Sequence, residues 1–246
     1  MKASRTFWSL SALVALAVSA FAAQTASAQT WYECAPGAKP GVFKDAHCKE
    51  KTNPAEGFVH IKLPANTLIP VTWSNLTTGT ERSIVKLKSV QSGVTLELQA
   101  TEAAGTGEIQ NREEGETTWG EGSGVLTYKN VTVTAPAGKG CKVAGGTITS
   151  KKLAATTKGL TNQIKFSPFE GTTFTEVTIE GCSVAALNHV YPVTGSIIGN
   201  TEGTTTNLTH TATTTQGTLF FFGQKVGIEV QTTLKRSSTG NGVALT

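Results

Sequence analysis

The stretch Val94-Thr95-Leu96-Glu97-Leu98-Gln99 decides the fold. Its apolar residues alternate with Thr95, Glu97 and Gln99, a period of two that sends one set of side chains to a core and the other to water. The pattern recurs: Val59, Ile61 and Leu63 against His60 and Lys62; Val131 and Val133 against Thr132 and Thr134; Val177 and Ile179 against Glu176, Thr178 and Glu180. Val226, Ile228 and Val230 alternate with Glu229 and Gln231 in the same way. Half-buried strands of this kind belong to antiparallel sheets. Gly- and Pro-rich clusters, among them Gly105 to Gly107, Gly120 to Gly124 and Ala135 to Gly140, read as turns between them. No ten-residue helical periodicity competes. The fold expected is all-β, an antiparallel β-sandwich or partly closed barrel, because each apolar sheet face needs a second layer to cover it. Residues 57–246 form this unit, either as one body or as two lobes meeting near 136–140.

Composition agrees. The 246 residues include 26 Gly and 41 Thr, residues of turns and strands. Only 15% are charged and the net charge is +4, too little for a nucleic-acid protein or a polybasic membrane protein. A mean hydropathy of -0.08 is too high for a disordered chain.

The first 28 residues read as a secretory signal peptide. Lys2 and Arg5 precede an uncharged run from Phe7 to Ala23, and Ala26-Ser27-Ala28 is a small-x-small cleavage pattern. The mature chain then starts at Gln29 with a net charge of +2, and the protein is expected to be secreted, outside the cell or at its envelope. The longest later apolar run, Leu219 to Phe222, is far too short to span a bilayer.

Residues 29–56 differ from the rest, with turn chemistry and little periodicity, and read as a cysteine-stapled N-terminal cap. Trp31 and Tyr32 either pack there or close one end of the sheet. Four cysteines in an exported chain form an even set and favour disulfides. Three pairings are possible. Cys34 with Cys48 and Cys141 with Cys182 is preferred, since the first two share one turn-rich segment and the others flank adjacent strand candidates. The Thr-rich stretch from Thr201 to Thr218 reads as a loop or an edge strand.

Catalytic signatures are scarce. Asp45 is the single Asp, which rules out an aspartic dyad and Asp-rich calcium loops. No Gly-x-Ser-x-Gly elbow, phosphate loop or Cys-x-x-Cys pair occurs, and His47, His60, His189 and His210 are scattered. No metal site or cofactor is expected. The sixteen Glu leave glycoside hydrolysis open, since it needs two carboxylates about 5 to 9.5 Å apart. Glu176 and Glu180, four residues apart on one strand face, are separated by about 13 Å and cannot be that pair. Glu108, Glu113, Glu114, Glu116 and Glu121 crowd a Gly-rich segment that reads either as a solvated hairpin tip or as a loop for a cation or basic ligand.

Several motifs carry a resemblance: Trp31-Tyr32-Glu33-Cys34 with Cys48, Gly107-Glu108-Ile109, Asn130-Val131-Thr132-Val133, Cys141 to Thr149, Val177 to Cys182, and Gly195-Ser196-Ile197-Ile198-Gly199. Together they resemble a group of uncharacterised secreted proteins of soil actinobacteria, across nearly all of the mature chain. The resemblance implies export, a bacterial source and an all-β fold, and no activity. That group often has cysteines where this chain has Gln99 and Ala135, so its disulfide pattern does not transfer whole. The function expected is a non-catalytic exported β-protein, structural or binding, with an envelope glycan or protein as partner. The alternative is a secreted polysaccharide hydrolase with a cross-strand Glu pair.

Overall fold

The structure, a computed structural model, describes residues 29–38, 43–51, 56–78, 81–209 and 218–246. Residues 1–28, which read as a signal peptide, and His210 lie outside the described residues. The strands are β1 (Trp31–Ala38), β2 (Glu56–Lys62), β3 (Ile69–Asn75), β4 (Thr77–Thr78), β5 (Glu81–Arg82), β6 (Val85–Gln91), β7 (Val94–Ala100) and β8 (Glu102–Glu114). They continue with β9 (Thr117–Lys129), β10 (Thr132–Ala135), β11 (Lys142–Val143), β12 (Thr147–Thr149), β13 (Leu153–Thr156), β14 (Gln163–Pro168) and β15 (Thr173–Glu180). Last come β16 (His189–Thr194), β17 (Ile197–Glu202), β18 (Thr205–Thr209), β19 (Phe220–Phe221), β20 (Gln224–Lys225), β21 (Gly227–Arg236) and β22 (Gly242–Leu245). Among the described residues the helical content is two single 3-10 turns, Ala144–Gly146 and Ala185–Leu187.

Eight strands close into an antiparallel barrel in the order β3-β8-β9-β13-β14-β17-β18-β21, with β21 returning to β3. Closure leaves no free edge in the ring. The residues expected to form turns at Gly105 to Gly107 and Gly120 to Gly124 instead lie inside β8 and β9, which pair over thirteen positions from Glu102↔Lys129 to Glu114↔Thr117. Their glycines recur with period two and share one face: Gly105, Gly107 and Ile109 lie opposite Leu126, Gly124 and Gly122. A Cβ on Gly124 would stand 2.7 Å from the Thr106 carbonyl, so these strands approach and coil more tightly than larger residues allow. The room left inside is filled from other strands by Trp73, Phe166 and Leu234, and a cavity of only about 80 Å³ remains.

Nine strands, β21 among them, build a second curved sheet, β21-β6-β7-β10-β11-β15-β16-β19-β20, and β20 comes to lie beside β6. Leu96, Leu98, Val177, Ile179 and Val230 fill its core, as their alternation predicts, together with Val193. The turn at Pro136 to Gly140 does not divide the chain: β10 and β11 on either side of it pair at Thr132↔Lys142, and Val131 and Val143 enter one core. Barrel and second sheet draw on interleaved segments, and β21 serves both, pairing with β6 through Gly227–Glu229 and with β3 through Thr232–Arg236.

The N-terminal segment is stapled as expected, by Cys34–Cys48, but it also belongs to the sheet. β1 pairs with β2 from Tyr32↔Lys62 to Ala38↔Glu56 and with β22 from Trp31↔Leu245 to Cys34↔Gly242. The sequence-based boundary at residue 57 therefore falls within a paired strand. Trp31, 4% exposed, packs into the barrel core and donates from Nε1 to the Glu121 carbonyl. Asn111, fully buried, holds β1 in place: its Oδ1 accepts from the Trp31 N–H, and its Nδ2 donates to the carbonyls of Trp31 and Leu63. Around β2 Leu63 is buried and Lys62 exposed as the alternation predicts, but Ile61 and His60 depart from it. Ile61 is 50% exposed while His60 is half-buried between the rings of Tyr32 and Phe43, because the stapled loop covers that face. The Thr-rich β18 is likewise no edge; it sits between β17 and β21.

Candidate functional site

Strand ends, rather than the acidic segment, frame an open concavity. The β6-β7 hairpin turns at Ser92 and Gly93 with φ of 50° and 80°, and the β19-β20 hairpin turns at Phe222 and Gly223 with φ of 53° and 69°. Two successive residues at positive φ make the tight turn whose twist matches the flanking strands. These tips stand side by side, tied by the Ser89 hydroxyl donating to the Phe221 carbonyl at 2.9 Å. Opposite them runs the segment after Cys182. Its shape is set by Asn188, whose side chain accepts from the Cys182 N–H at 2.8 Å and donates to the Cys182 carbonyl at 3.0 Å. The Tyr191 hydroxyl donates to the Leu187 carbonyl at 3.2 Å and pins the 3-10 turn.

The result is a groove in two halves. The larger, about 570 Å³, lies between Val94, Pro136, Leu187 and Phe222, with Lys139 at its wall. The smaller, about 400 Å³, lies between His189, Tyr191, Pro192 and Phe222. Gln91 and Phe222 border both. These volumes fall in the range of small-molecule sites, whereas the barrel cavity does not. Aromatic edges meet here, with the Tyr191 ring 5.3 Å from Phe222 and 5.4 Å from His189, both near perpendicular. Among the described residues no acidic one lines either half.

The acidic residues singled out from sequence are spread along the β8-β9 hairpin instead of converging. Glu113, Glu114 and Glu116 sit at its exposed tip, and Glu108 lies on the outer face of β8, opposite Ser123. The Glu121 carboxylate accepts from Trp119 Nε1 at 2.8 Å and from Gln110 Nε2 at 3.4 Å. The cation this segment meets is the protein's own Lys158, 3.5 Å from Glu114 and 4.0 Å above the Trp119 ring. Glu108 and Glu121 are diagonal neighbours across the ladder, and no two Glu face each other directly in the paired registers of the described residues. No cluster of three or more potential metal ligands occurs among those residues.

The carboxyls whose titration is clearly perturbed are perturbed downward. Burial opposes ionisation of Glu33, but hydrogen bonds from Thr239, Arg236 and Asn241 outweigh it. Asp45 is likewise held ionised against burial by the N–H groups of Glu50, His47 and Lys49, and Glu97 by Gln99 and Thr134. A general acid needs the opposite shift. These three carboxylates organise backbone and strand faces.

Both expected disulfides are formed, Cys34–Cys48 and Cys141–Cys182. The second lies beside the β11-β15 pair at Lys142↔Glu180 and braces the base of the loop that walls the groove. Sequence reasoning missed the groove because its walls come from four separate turns. One local signal was present: Phe222 precedes Gly223 in a hairpin tip, where Asn or Gly is the usual residue. The chain matches no family model, no curated protein and no solved structure.

Proposed function

We propose that this is an exported, non-catalytic β-protein that binds a component at the cell envelope or outside the cell through the groove between the β6-β7 and β19-β20 tips. The groove itself carries the proposal: an open concavity with aromatic and aliphatic walls and, among the described residues, no carboxylate in its lining. Export is supported by the Ala26-Ser27-Ala28 pattern and by two disulfides that require an oxidising compartment to persist. An actinobacterial source is part of the same proposal and rests on the motif resemblance.

The test compares the exported chain with Val94→Asp, a change at a position 40% exposed and so tolerable to the fold. Wild type is expected to be retained on envelope fractions or glycans and the variant to be lost from them. Equal retention of both overturns the groove as the binding surface. Polysaccharide hydrolysis abolished by Glu108→Gln or Glu121→Gln overturns the non-catalytic reading.

A further inference from the structure

The groove has a chemical asymmetry. Lys139 is the one Lys, Arg, Asp or Glu among the described residues that lines it. Among the described residues Lys139 has no carboxylate within ion-pair distance. Its carbonyl accepts from the Ser183 N–H at 2.7 Å, which fixes the turn that carries it against the Cys182 loop. The remaining walls of the larger half are mostly apolar, and Val94 and Val184 are left 40% and 41% exposed. Apolar surface held open to water around a single cation suits a ligand with an apolar body and one negative charge.

Phe222 adds a second, independent observation. At φ 53° it occupies the left-handed region, which is unfavourable for a bulky residue. The neighbouring tip meets the same requirement with Ser92. Asn or Gly would hold the Phe222 turn with less strain. What Phe supplies is a partly buried ring that packs against the main core and Tyr191 and borders both halves of the groove.

We infer, resting on the groove reading above, that the site takes a monomeric single-chain amphiphile with a carboxylate head. The alkyl chain lies along Val94, Val184, Leu187 and Phe222, and the carboxylate meets the Lys139 ammonium. A membrane surface is a poorer match, since stable electrostatic attachment calls for a cluster of cations rather than one.

The experiment is calorimetric titration of the exported chain with dodecanoate, dodecanol and dodecylammonium, each below its critical micelle concentration, with anionic phosphatidylglycerol vesicles as a separate arm. Dodecanoate is expected to bind, and dodecanol to bind roughly threefold more weakly, the scale of an exposed ion pair. Dodecylammonium should be weaker again, and Lys139→Glu should reverse the order of the two charged ligands. Val94→Asp should weaken dodecanoate and dodecanol at least tenfold. Phe222→Asn should do the same while keeping the wild-type circular dichroism, since it eases the turn. Equal binding of dodecanoate and dodecylammonium overturns the proposal, as does binding seen with vesicles alone or indifference to Phe222→Asn. If no amphiphile binds while Val94→Asp still abolishes envelope retention, the ligand class fails and the groove stands. If Val94→Asp alters neither, both fail.

Discussion

Arg236 Nη1 donates to Glu33 Oε2 at 2.6 Å, joining the end of β21 to the N-terminal strand across 203 positions of sequence. The other oxygen of the same carboxylate accepts from Thr239 and Asn241, both at 2.7 Å, so the whole β21-β22 turn is fastened to β1. Glu33 is only 4% exposed, and a buried carboxylate is tolerable because its oxygens are satisfied in this way.

Glu33→Gln should therefore cost about 1 to 3 kcal/mol at neutral pH, by turning an accepting oxygen into a donor that faces donors. The pH dependence has a definite sign. The folded-state pKa of Glu33 lies below its ordinary value of 4.5, because the hydrogen bonds and charge of its partners outweigh burial. Its stabilisation is full above that value and is lost as pH falls through the folded pKa. Chemical denaturation of wild type and variant should give curves that converge in acid; a gap that widens there would contradict this account.

Asn111→Leu should be more damaging, since it strands the Trp31 N–H and the Leu63 carbonyl inside the barrel and leaves the Trp31 carbonyl with the Leu63 N–H as its remaining partner. A loss of roughly 3 kcal/mol or more is expected. Amide exchange should show β1 opening before the ring strands do. Uniform loss of protection would instead mean that β1 and the barrel unfold as one.

The two disulfides should separate in effect. Cys141–Cys182 closes 41 residues and braces paired strands, so Cys182→Ala should lower stability by roughly 4 kcal/mol on the chain-entropy model. Cys34–Cys48 closes 14 residues, and the strand bearing Cys34 is paired on both sides. Cys48→Ala should expose residues 43–51 to protease while β1 keeps its protection. Thermal melts with limited proteolysis compare them, and early release of β1 from the Cys48 variant would refute the distinction.

Expression through a eukaryotic secretory path should glycosylate Asn130 and spare Asn75, although both head Asn-x-Thr sequences. Asn130 is exposed in a turn, whereas Asn75 is 4% exposed and donates to the carbonyls of Ser83 and Thr101. Peptide mapping would show a glycan at Asn75 if this local fold were wrong.

Gln29 should resist cyclisation once folded. Its Nε2 donates to Asn162 at 3.1 Å, its Oε1 accepts from Thr201 at 3.3 Å, and its carbonyl accepts from Gly120 and Thr157. Pyroglutamate formation expels the side-chain nitrogen as ammonia, so it must break that hold. Intact mass of chain exported with Gln29 first should lack the 17 Da loss, and a stoichiometric loss from freshly folded protein would sink the idea.

Strand period two is a local property, and the sequence by itself determined the all-β class, the inner faces of β7, β15 and β21, and a cysteine pairing consistent with strand order. Those patterns need only one wet and one dry side. The sheet topology was decided by tertiary structure, because pairing partners such as β3 and β21 lie more than 150 residues apart and nothing in either strand names the other. The period-two glycines of β8 and β9 show the limit well: the same residue makes a turn or a tightly coiled strand, and only the neighbouring carbonyls distinguish them. His60 and Ile61 exchanged faces for a similar reason, since the loop stapled by Cys34–Cys48 covers the side that local hydropathy assigns to water. The groove had no sequence signature as a whole. Its walls become a site only when four turns, distant along the chain, arrive at one end of the second sheet.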